Sequence, residues 1–361
     1  MQNSSLDGHG FFDKKRPGLN PLQSEFLTTD DVILVPSLGK LNSRSDASID
    51  PFIYSSPMDT VTGYKLTKSM VKNGHYAVVC RFTPKEWIKT FKEFGDDPNV
   101  FFAVGSNPAD LNKIETLAKK YWPNNKISIN IDVAHGDTIY THDLYRAYSK
   151  MDCIGSIMSG SICTPDAAIR AVQSGCTHLR VGIGPGSACT TRLKTGCGMP
   201  QLSAVYLVDS GLKSTGYREG VQIIADGGIR YPGDAVKYLA AGADGVMIGR
   251  LFSKTAESCG WKTIKDSWWR PSYIGKRYRG QASKQFQVDT FGVNPACPEG
   301  ASGPVITPEN TVKEVLAEFE GGVRSALSYL GITSMSELNT ENVQFIRTTN
   351  ASIKENTSHG F

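Results

Sequence analysis

Short apolar runs alternate with longer amphipathic stretches along most of this chain. Seven runs have the length and β-branched content of strands, at residues 76–79, 100–104, 127–131, 154–158, 179–182, 221–225 and 245–248. The stretches between them, such as 108–121, 165–174 and 232–241, start at proline and carry a helical pattern. The pattern predicts repeated strand–helix units, preceded by a polar, flexible N-terminal arm at residues 1–24.

Near-continuous apolar strands separated by helices are typical of a parallel sheet covered by helices. An eighth run, at 51–54, supplies the strand count of a closed barrel. An open doubly wound sheet is the alternative, but no G-x-G-x-x-G follows the first strand. We therefore predict one (β/α)8 TIM barrel over residues 25–350, followed by a C-terminal tail at 351–361.

Residues 258–310 interrupt this rhythm. The segment is rich in Trp, Tyr, Arg, Lys, Gly and Pro and shows no clear period. Long insertions in compact barrels are often functional lids, so we interpret it as a flap over the active site. A surface hairpin without a catalytic role is the alternative.

Composition narrows the class of protein. The 361 residues include 39 basic and 35 acidic ones, and a net charge of +4 does not favour nucleic acid or a membrane surface as partner. No run of about 18 apolar residues and no secretion signal is present. The eight cysteines include no C-x-x-C pair, which argues against structural zinc and for reduced thiols in a cytoplasmic protein.

The segment with the clearest chemistry is Gly182-Ile183-Gly184-Pro185-Gly186-Ser187-Ala188-Cys189-Thr190-Thr191-Arg192. Its closely spaced glycines allow backbone N–H groups to approach an anion, and Ser187 adds a hydroxyl. Cys189 would then lie beside a bound phosphate on an exposed loop. The alternative is a tight turn that carries an incidental cysteine.

Two more glycine-containing strand ends follow late in the chain, at Asp226-Gly227-Gly228 and Gly249-Arg250. Phosphate sites in barrels are often built from the loops after the last two strands. Asp226 could bind a ribose diol, although the same residue could serve as a helix N-cap. Together with Cys189 these segments predict a nucleotide site.

Eight segments carry a specific resemblance to a known family, at 30–36, 55–61, 131–136, 182–205, 224–228, 241–244, 278–280 and 321–325. Over residues 25–350 the sequence resembles the IMP dehydrogenase/GMP reductase family. The resemblance implies a (β/α)8 barrel that forms a homotetramer and acts on a purine nucleotide. Family dehydrogenases often carry an inserted regulatory CBS module. Here the strand and helix signals continue from residue 80 to 180 without room for one.

The resemblance also implies roles for individual residues. Cys189 would attack purine C2, and Thr191 and Glu299 would move protons. The positions that would bind the nucleotide are Ser187, Asp226, Gly228, Gly249, Arg250, Tyr278 and Gly280. Asp132, Ser106 and Arg81 would contact the nicotinamide cofactor. The carbonyls of Gly184, Gly186 and Cys189 would hold a K+ ion.

The two branches of the family differ in whether the covalent adduct is hydrolysed. No Arg-Tyr pair, which would activate water in a dehydrogenase, occurs between Gly280 and Glu299. This absence favours a GMP reductase that uses NADPH to convert GMP, or a close guanine nucleotide analogue, to IMP and ammonia. Residues 55–58, the tail at 351–356, Arg81 and Ser161 depart from the reductase pattern. An IMP dehydrogenase (IMP and NAD to XMP) and a non-catalytic nucleotide-binding regulator are the alternatives.

Overall fold

The computed structural model describes residues 25–264, 273–305, 310–349 and 352. The chain enters through a 3-10 turn, Thr29–Asp31, and strand β1, Val32–Leu34. Eight parallel strands follow and form a closed barrel: β2 Ile53–Ser55, β3 Tyr76–Val79, β4 Val100–Val104, β5 Ile127–Ile131, β6 Ile154–Ile162, β7 His178–Val181, β8 Gln222–Asp226 and β9 Gly245–Ile248. Strand β9 pairs with β2 and closes the ring. The predicted (β/α)8 barrel is confirmed.

The barrel strands are apolar on both faces because both faces are covered. Alternate residues point inward and form a small internal core of Tyr54, Val78, Phe101, Met158, Ile224 and Met247. The residues between them point outward and join a larger core beneath the helices. Inward and outward residues thus alternate along each strand, as in other closed barrels.

Helices connect successive strands and cover the barrel. The long ones are Tyr64–Lys72, Pro84–Phe94, Ala109–Tyr121, Ile139–Ser149, Pro165–Gln173, Gln201–Ser214, Pro232–Ala240 and Val312–Leu330. Short turns of helix lie at Thr191–Thr195 and Arg250–Ser253, and further 3-10 turns at Arg44–Asp46 and Met335–Glu337. Two predicted starts at proline are confirmed, and Thr164 caps one of them by accepting from the Ala167 amide at 3.3 Å. Within the described ranges, no helix combines the length and the apolar character needed to cross a membrane.

The flap is folded, although its sequence shows no period. Strands β10 Trp261–Ile264, β11 Tyr273–Arg279 and β12 Ser302–Val305 form an antiparallel sheet with β11 in the centre. Helix Lys284–Phe291 lies between β11 and β12. Strand β13, Phe345–Arg347, pairs with β1 and brings the two ends of the described chain together. The predicted arm at 1–24, parts of the flap at 265–272 and 306–309, and the tail apart from Ser352 lie outside the described residues.

Candidate active site

One cleft opens at the carboxyl ends of the barrel strands and has a volume of about 680 Å³. It collects nearly all of the residues that the sequence singled out. Those in its lining are Asp132, Gly184, Gly186, Ser187, Cys189, Thr191, Asp226, Gly228, Gly249, Arg250, Tyr278, Gly280 and Glu299. Ser161 lines it as well. The candidate site therefore lies where barrel enzymes place their chemistry.

A line of three polar side chains starts at Cys189. Its thiol is half-buried and lies 3.3 Å from the Thr191 hydroxyl. The Thr191 hydroxyl donates to the Glu299 carboxylate at 2.9 Å. A proton can therefore pass between the sulfur side of the cleft and a carboxylate without a large movement.

Glu299 reaches this position because the flap is bonded to the Cys189 loop through the backbone. The Thr190 amide donates to the Glu299 carbonyl and the Ala301 amide donates to the Ala188 carbonyl, each at 2.8 Å. Within the flap, the Glu299 amide donates to the Ala282 carbonyl at 3.1 Å. These bonds place a residue more than a hundred positions away beside Thr191.

The flap also docks on the barrel through side chains. Arg279 donates to Asp59 at 2.7 Å and to Asp289 at 2.6 Å, so it ties the flap helix to the loop after β2. Phe286 is fully buried and packs edge-on against Phe82, with ring centroids 4.8 Å apart. The flap is therefore seated over the cleft.

Another group of residues in the cleft has the composition of a phosphate site. The Ser187 hydroxyl donates to the Tyr278 hydroxyl at 3.2 Å. Burial raises the pKa of Tyr278, so its hydroxyl remains protonated and can donate to an anion. Gly249 and the exposed Arg250 adjoin this pair, and Arg250 supplies a positive charge.

Arg180, a residue that the sequence argument missed, links the two sides of the site. It is buried inside β7 and donates to Asp132 at 3.0 Å and to Asp226 at 2.8 Å. Burial opposes its charge, but Asp226 and Asp132 outweigh burial and raise the pKa of Arg180. The sequence did contain a sign of this role, because an arginine stands in the middle of an apolar strand. A buried cation requires carboxylate partners, so such a residue predicts acidic side chains close by.

Unsatisfied polar atoms mark the side of the cleft near Asp132. Within the described part of the chain, Asp132 Oδ2 and Arg81 Nε are buried without a hydrogen-bond partner, and they lie 3.9 Å apart. Such atoms need a polar ligand, and the carboxamide and ribose of a nicotinamide nucleotide supply suitable groups. Arg81 itself lines a neighbouring cavity of about 600 Å³, whereas Ser106 is exposed just after β4 and does not line the cleft.

Among the described residues, no three His, Cys, Asp or Glu side chains are grouped so that they could hold a metal ion. A K+ ion on the carbonyls of Gly184, Gly186 and Cys189 would not need such a group. The Gly186 carbonyl already accepts from the Cys189 amide at 2.9 Å, so it faces into the loop.

The fold and site define a (β/α)8 barrel with a cysteine in the cleft at the carboxyl ends of its strands. A family described as "IMP dehydrogenase / GMP reductase domain" matches residues 26–359, and the chain belongs to this family.

Three relatives are named inosine-5′-monophosphate dehydrogenase. The one from Borreliella burgdorferi is 30% identical over 94% of this chain and 98% of its own length. The one from Escherichia coli (strain K12) is 36% identical over 82% of this chain and 60% of its own length. The one from Chlorobaculum tepidum is 35% identical over 64% of this chain, and the match spans 47% of that relative. This chain thus spans nearly all of one relative and about half of another.

These names contradict the expectation of a GMP reductase, which is wrong on this comparison. The expectation took the missing Arg-Tyr pair as the group that activates water in a dehydrogenase. The structure contains another pair that can take a proton from water, although the same pair would also serve a reductase. Thr191 and Glu299 already form a hydrogen-bonded pair beside Cys189, and a carboxylate in this place can accept a proton from water.

Proposed function

We propose that this protein oxidises IMP at C2 with NAD and hydrolyses the resulting adduct to XMP. The observation that carries the proposal is the line from Cys189 through Thr191 to Glu299. A nucleophile and a proton acceptor at these distances suit a reaction in which a covalent bond to the enzyme is made and then broken by water.

In the first step the sulfur of Cys189 bonds to C2 of the purine, the electron pair of the C2=N3 bond moves to N3, and N3 takes the thiol proton. The carbon becomes tetrahedral, so its hydrogen can depart with both bonding electrons. A bound nicotinamide cofactor supplies the acceptor for this hydride. The purine remains attached to Cys189 through C2, and this carbon is now electron-poor, so water can attack it.

In the second step water adds to C2 and the C2–S bond breaks. Water needs a base, and the Thr191 hydroxyl near the sulfur can take its proton while passing its own to Glu299. Proton transfer through a positioned hydroxyl and carboxylate of this kind contributes about 10²–10⁴ in rate. Of the two water protons, one ends on the sulfur and the other is released from Glu299 to solvent, and the oxygen remains on the product as the C2 carbonyl.

The substrate would lie along the cleft between two fixed ends. Arg180 donates to Oδ2 of Asp226 through two nitrogens, at 3.2 Å and 2.8 Å, and Oδ1 of Asp226 would accept from the ribose hydroxyls. Ser187, Tyr278 and Arg250 would bind the 5′-phosphate together with the backbone of Gly228, Gly249 and Gly280. Because Arg180 also holds Asp132, one buried side chain sets the spacing between the nucleotide and the cofactor.

Asp132 and Arg81 would hold the nicotinamide end of the cofactor, with Ser106 further out. Because the proposed reaction is an oxidation, the cofactor in this proposal is NAD and not the NADPH that accompanies a reductase. K+ on the carbonyls of Gly184, Gly186 and Cys189, and assembly into a homotetramer, stay part of the proposal. Mass measurement by light scattering and turnover with and without K+ test these two points.

The deciding experiment measures absorbance at the wavelength where reduced nicotinamide absorbs, in parallel incubations with IMP plus NAD, IMP plus NADP, and GMP plus NADPH. Chromatography identifies the purine product. We expect reduced cofactor and XMP in equal amounts from IMP and NAD. Absence of XMP while IMP still binds would overturn the proposal, and Cys189→Ala provides the matched inactive control.

A further inference from the structure

The loop that carries Cys189, residues 183–199, is called the catalytic loop below. Its short helix, Thr191–Thr195, has no buried residue, and Leu193 on that helix is 85% exposed. A glycine-rich loop with so little apolar burial loses much conformational entropy when it is fixed in one shape. Polar contacts must therefore hold this loop, and besides the two backbone bonds from the flap the loop contains a side-chain contact of its own.

The side chain of Arg192 joins the two ends of the catalytic loop. Its Nε donates to the Ile183 carbonyl at 3.1 Å. Its terminal nitrogen donates to the Met199 carbonyl. The two acceptors lie sixteen positions apart in sequence, at the first and last residues of the loop. A planar guanidinium can hold two carbonyls at once, whereas a lysine ammonium acts as a single point charge.

Two glycines make room for this side chain. Gly184 has φ +92° and Gly198 has φ +143°, a region in which only glycine is unstrained. A Cβ at Gly184 would lie 2.5 Å from Arg192 Cγ, and one at Gly198 would lie 2.8 Å from it. The arginine therefore passes between two backbone segments that larger residues would push apart. The two glycines and the arginine form one structural unit.

We propose that Arg192 is a positioning residue that closes the catalytic loop and so keeps Thr191 in contact with Cys189. Arg192 follows Thr191 directly, so its two anchors fix the start of the short helix on which Thr191 lies. The role in turnover rests on the proposed function, but the role in holding the loop does not.

The experiment compares Arg192→Gln and Arg192→Lys with the control Lys194→Gln, which removes an exposed charge from the same short helix. Hydrogen exchange of the peptides that cover residues 183–199 is measured without substrate, alongside kcat and KM for IMP. We expect faster exchange across the loop in both Arg192 variants and a fall in kcat of about 100-fold, the effect of misplacing reacting groups by about 1 Å. Lys194→Gln should match the parent protein.

A rescue measurement separates positioning from general damage. In Arg192→Ala, millimolar guanidinium ion, far below denaturing concentrations, should restore both loop protection and turnover, while ammonium ion should not. Unchanged exchange in all three Arg192 variants overturns the proposal, and so does a loss of turnover without any change in exchange. If the parent protein does not oxidise IMP but the loop still loosens, the positioning role stands and the proposed function fails.

Discussion

The catalytic loop and the flap meet at Cys189 but are held in place in different ways. The catalytic loop is held mainly from within, by glycines at positive φ and by the Arg192 side chain between its ends. The flap follows about a hundred positions later in the sequence and is docked from outside, by a buried aromatic residue, an arginine bridge to Asp59 and two backbone bonds to the catalytic loop. The first region carries Cys189, the proposed nucleophile, and the second brings Glu299, the proposed proton acceptor.

This difference separates two requirements of the reaction. The nucleophile must be in one place throughout, so it belongs on a loop with little freedom. The carboxylate has to leave room for substrate and cofactor to enter, so it belongs on a segment that is docked by a small number of contacts. Changes in the catalytic loop should therefore affect bond making, and changes in the flap should affect only the steps that need Glu299.

The largest effect is expected for Cys189→Ala. Without the sulfur no covalent adduct forms, and turnover should fall by several orders of magnitude. Binding of IMP should persist, because the groups that would hold phosphate and ribose lie elsewhere in the cleft. Turnover and calorimetric binding measure the two quantities. Residual turnover within tenfold of the parent would show that Cys189 is not the nucleophile.

A smaller and more selective effect is expected for Glu299→Gln. The glutamine can still accept from Thr191 but cannot take a proton, so hydrolysis of the adduct should slow by about 10²–10⁴. Hydride transfer precedes that step and should survive. Stopped-flow absorbance should show a burst of about one reduced cofactor per active site, followed by slow turnover.

The matched control is Glu318→Gln, an exposed carboxylate on helix Val312–Leu330 that does not line the cleft. It should behave like the parent protein. A Glu299→Gln protein that loses the burst together with turnover would mean that Glu299 also acts before the adduct forms. The contrast between the two regions would then not hold.

A local effect is expected when the flap loses its aromatic anchor. Phe286→Ala removes a fully buried ring and should weaken flap docking by about 3–5 kcal/mol, the range seen for such truncations. Hydrogen exchange should rise across residues 280–301 and not in the barrel strands. Val288→Ala on the same helix is the control, since that side chain is 42% exposed. Increased exchange throughout the barrel would show that the flap is not a separate unit.

The sequence predicted the barrel because its signal is local and repeated. Strands β3, β4, β5 and β9 begin and end at the predicted residues, since polar residues or glycines lie close to both ends of each apolar run. Strand β6 extends to Ile162, four residues past its predicted end, because Ser159, Gly160 and Ser161 weaken the apolar pattern. The buried Ser159 hydroxyl shows that burial here does not follow hydrophobicity.

The sequence predicted the site residues that share one segment, and its prediction was incomplete for residues that come from different segments. Cys189 and Thr191 lie two positions apart, so one motif reveals both. The contact between Glu299 and Thr191 spans 108 positions and was expected only from the family resemblance. Arg180 was missed because its role depends on two carboxylates from other strands, and the flap helix was missed because its one buried ring gives no period.

The smallest effect is expected at Asp137, which fastens the loop after β5 where Asp132 lies. Charged side chains hold this loop, as the Arg279 bridge helps to hold the flap. Asp137 accepts from two nitrogens of Arg170, at 2.9 Å and 2.6 Å, and from His142 at 2.8 Å. The bonds from Arg170 come first among the causes that lower the pKa of Asp137 to about 2. A carboxyl with a depressed pKa stabilises the folded state above its unfolded pKa of about 3.9, and this contribution is lost as the pH falls toward 2. Because Arg170 is half exposed, we expect Asp137 to contribute only about 1–2 kcal/mol to the free energy of unfolding at neutral pH.

Denaturant unfolding of the parent protein and of Asp137→Asn at several pH values measures this contribution. The difference in the free energy of unfolding should be constant from pH 7 to 5 and should shrink below pH 4. Asp143→Asn, which removes an exposed carboxylate from the helix that follows, is the control and should change stability little at any pH. A difference for Asp137→Asn that does not depend on pH would mean that shape, and not charge, holds this loop, which would then resemble the catalytic loop.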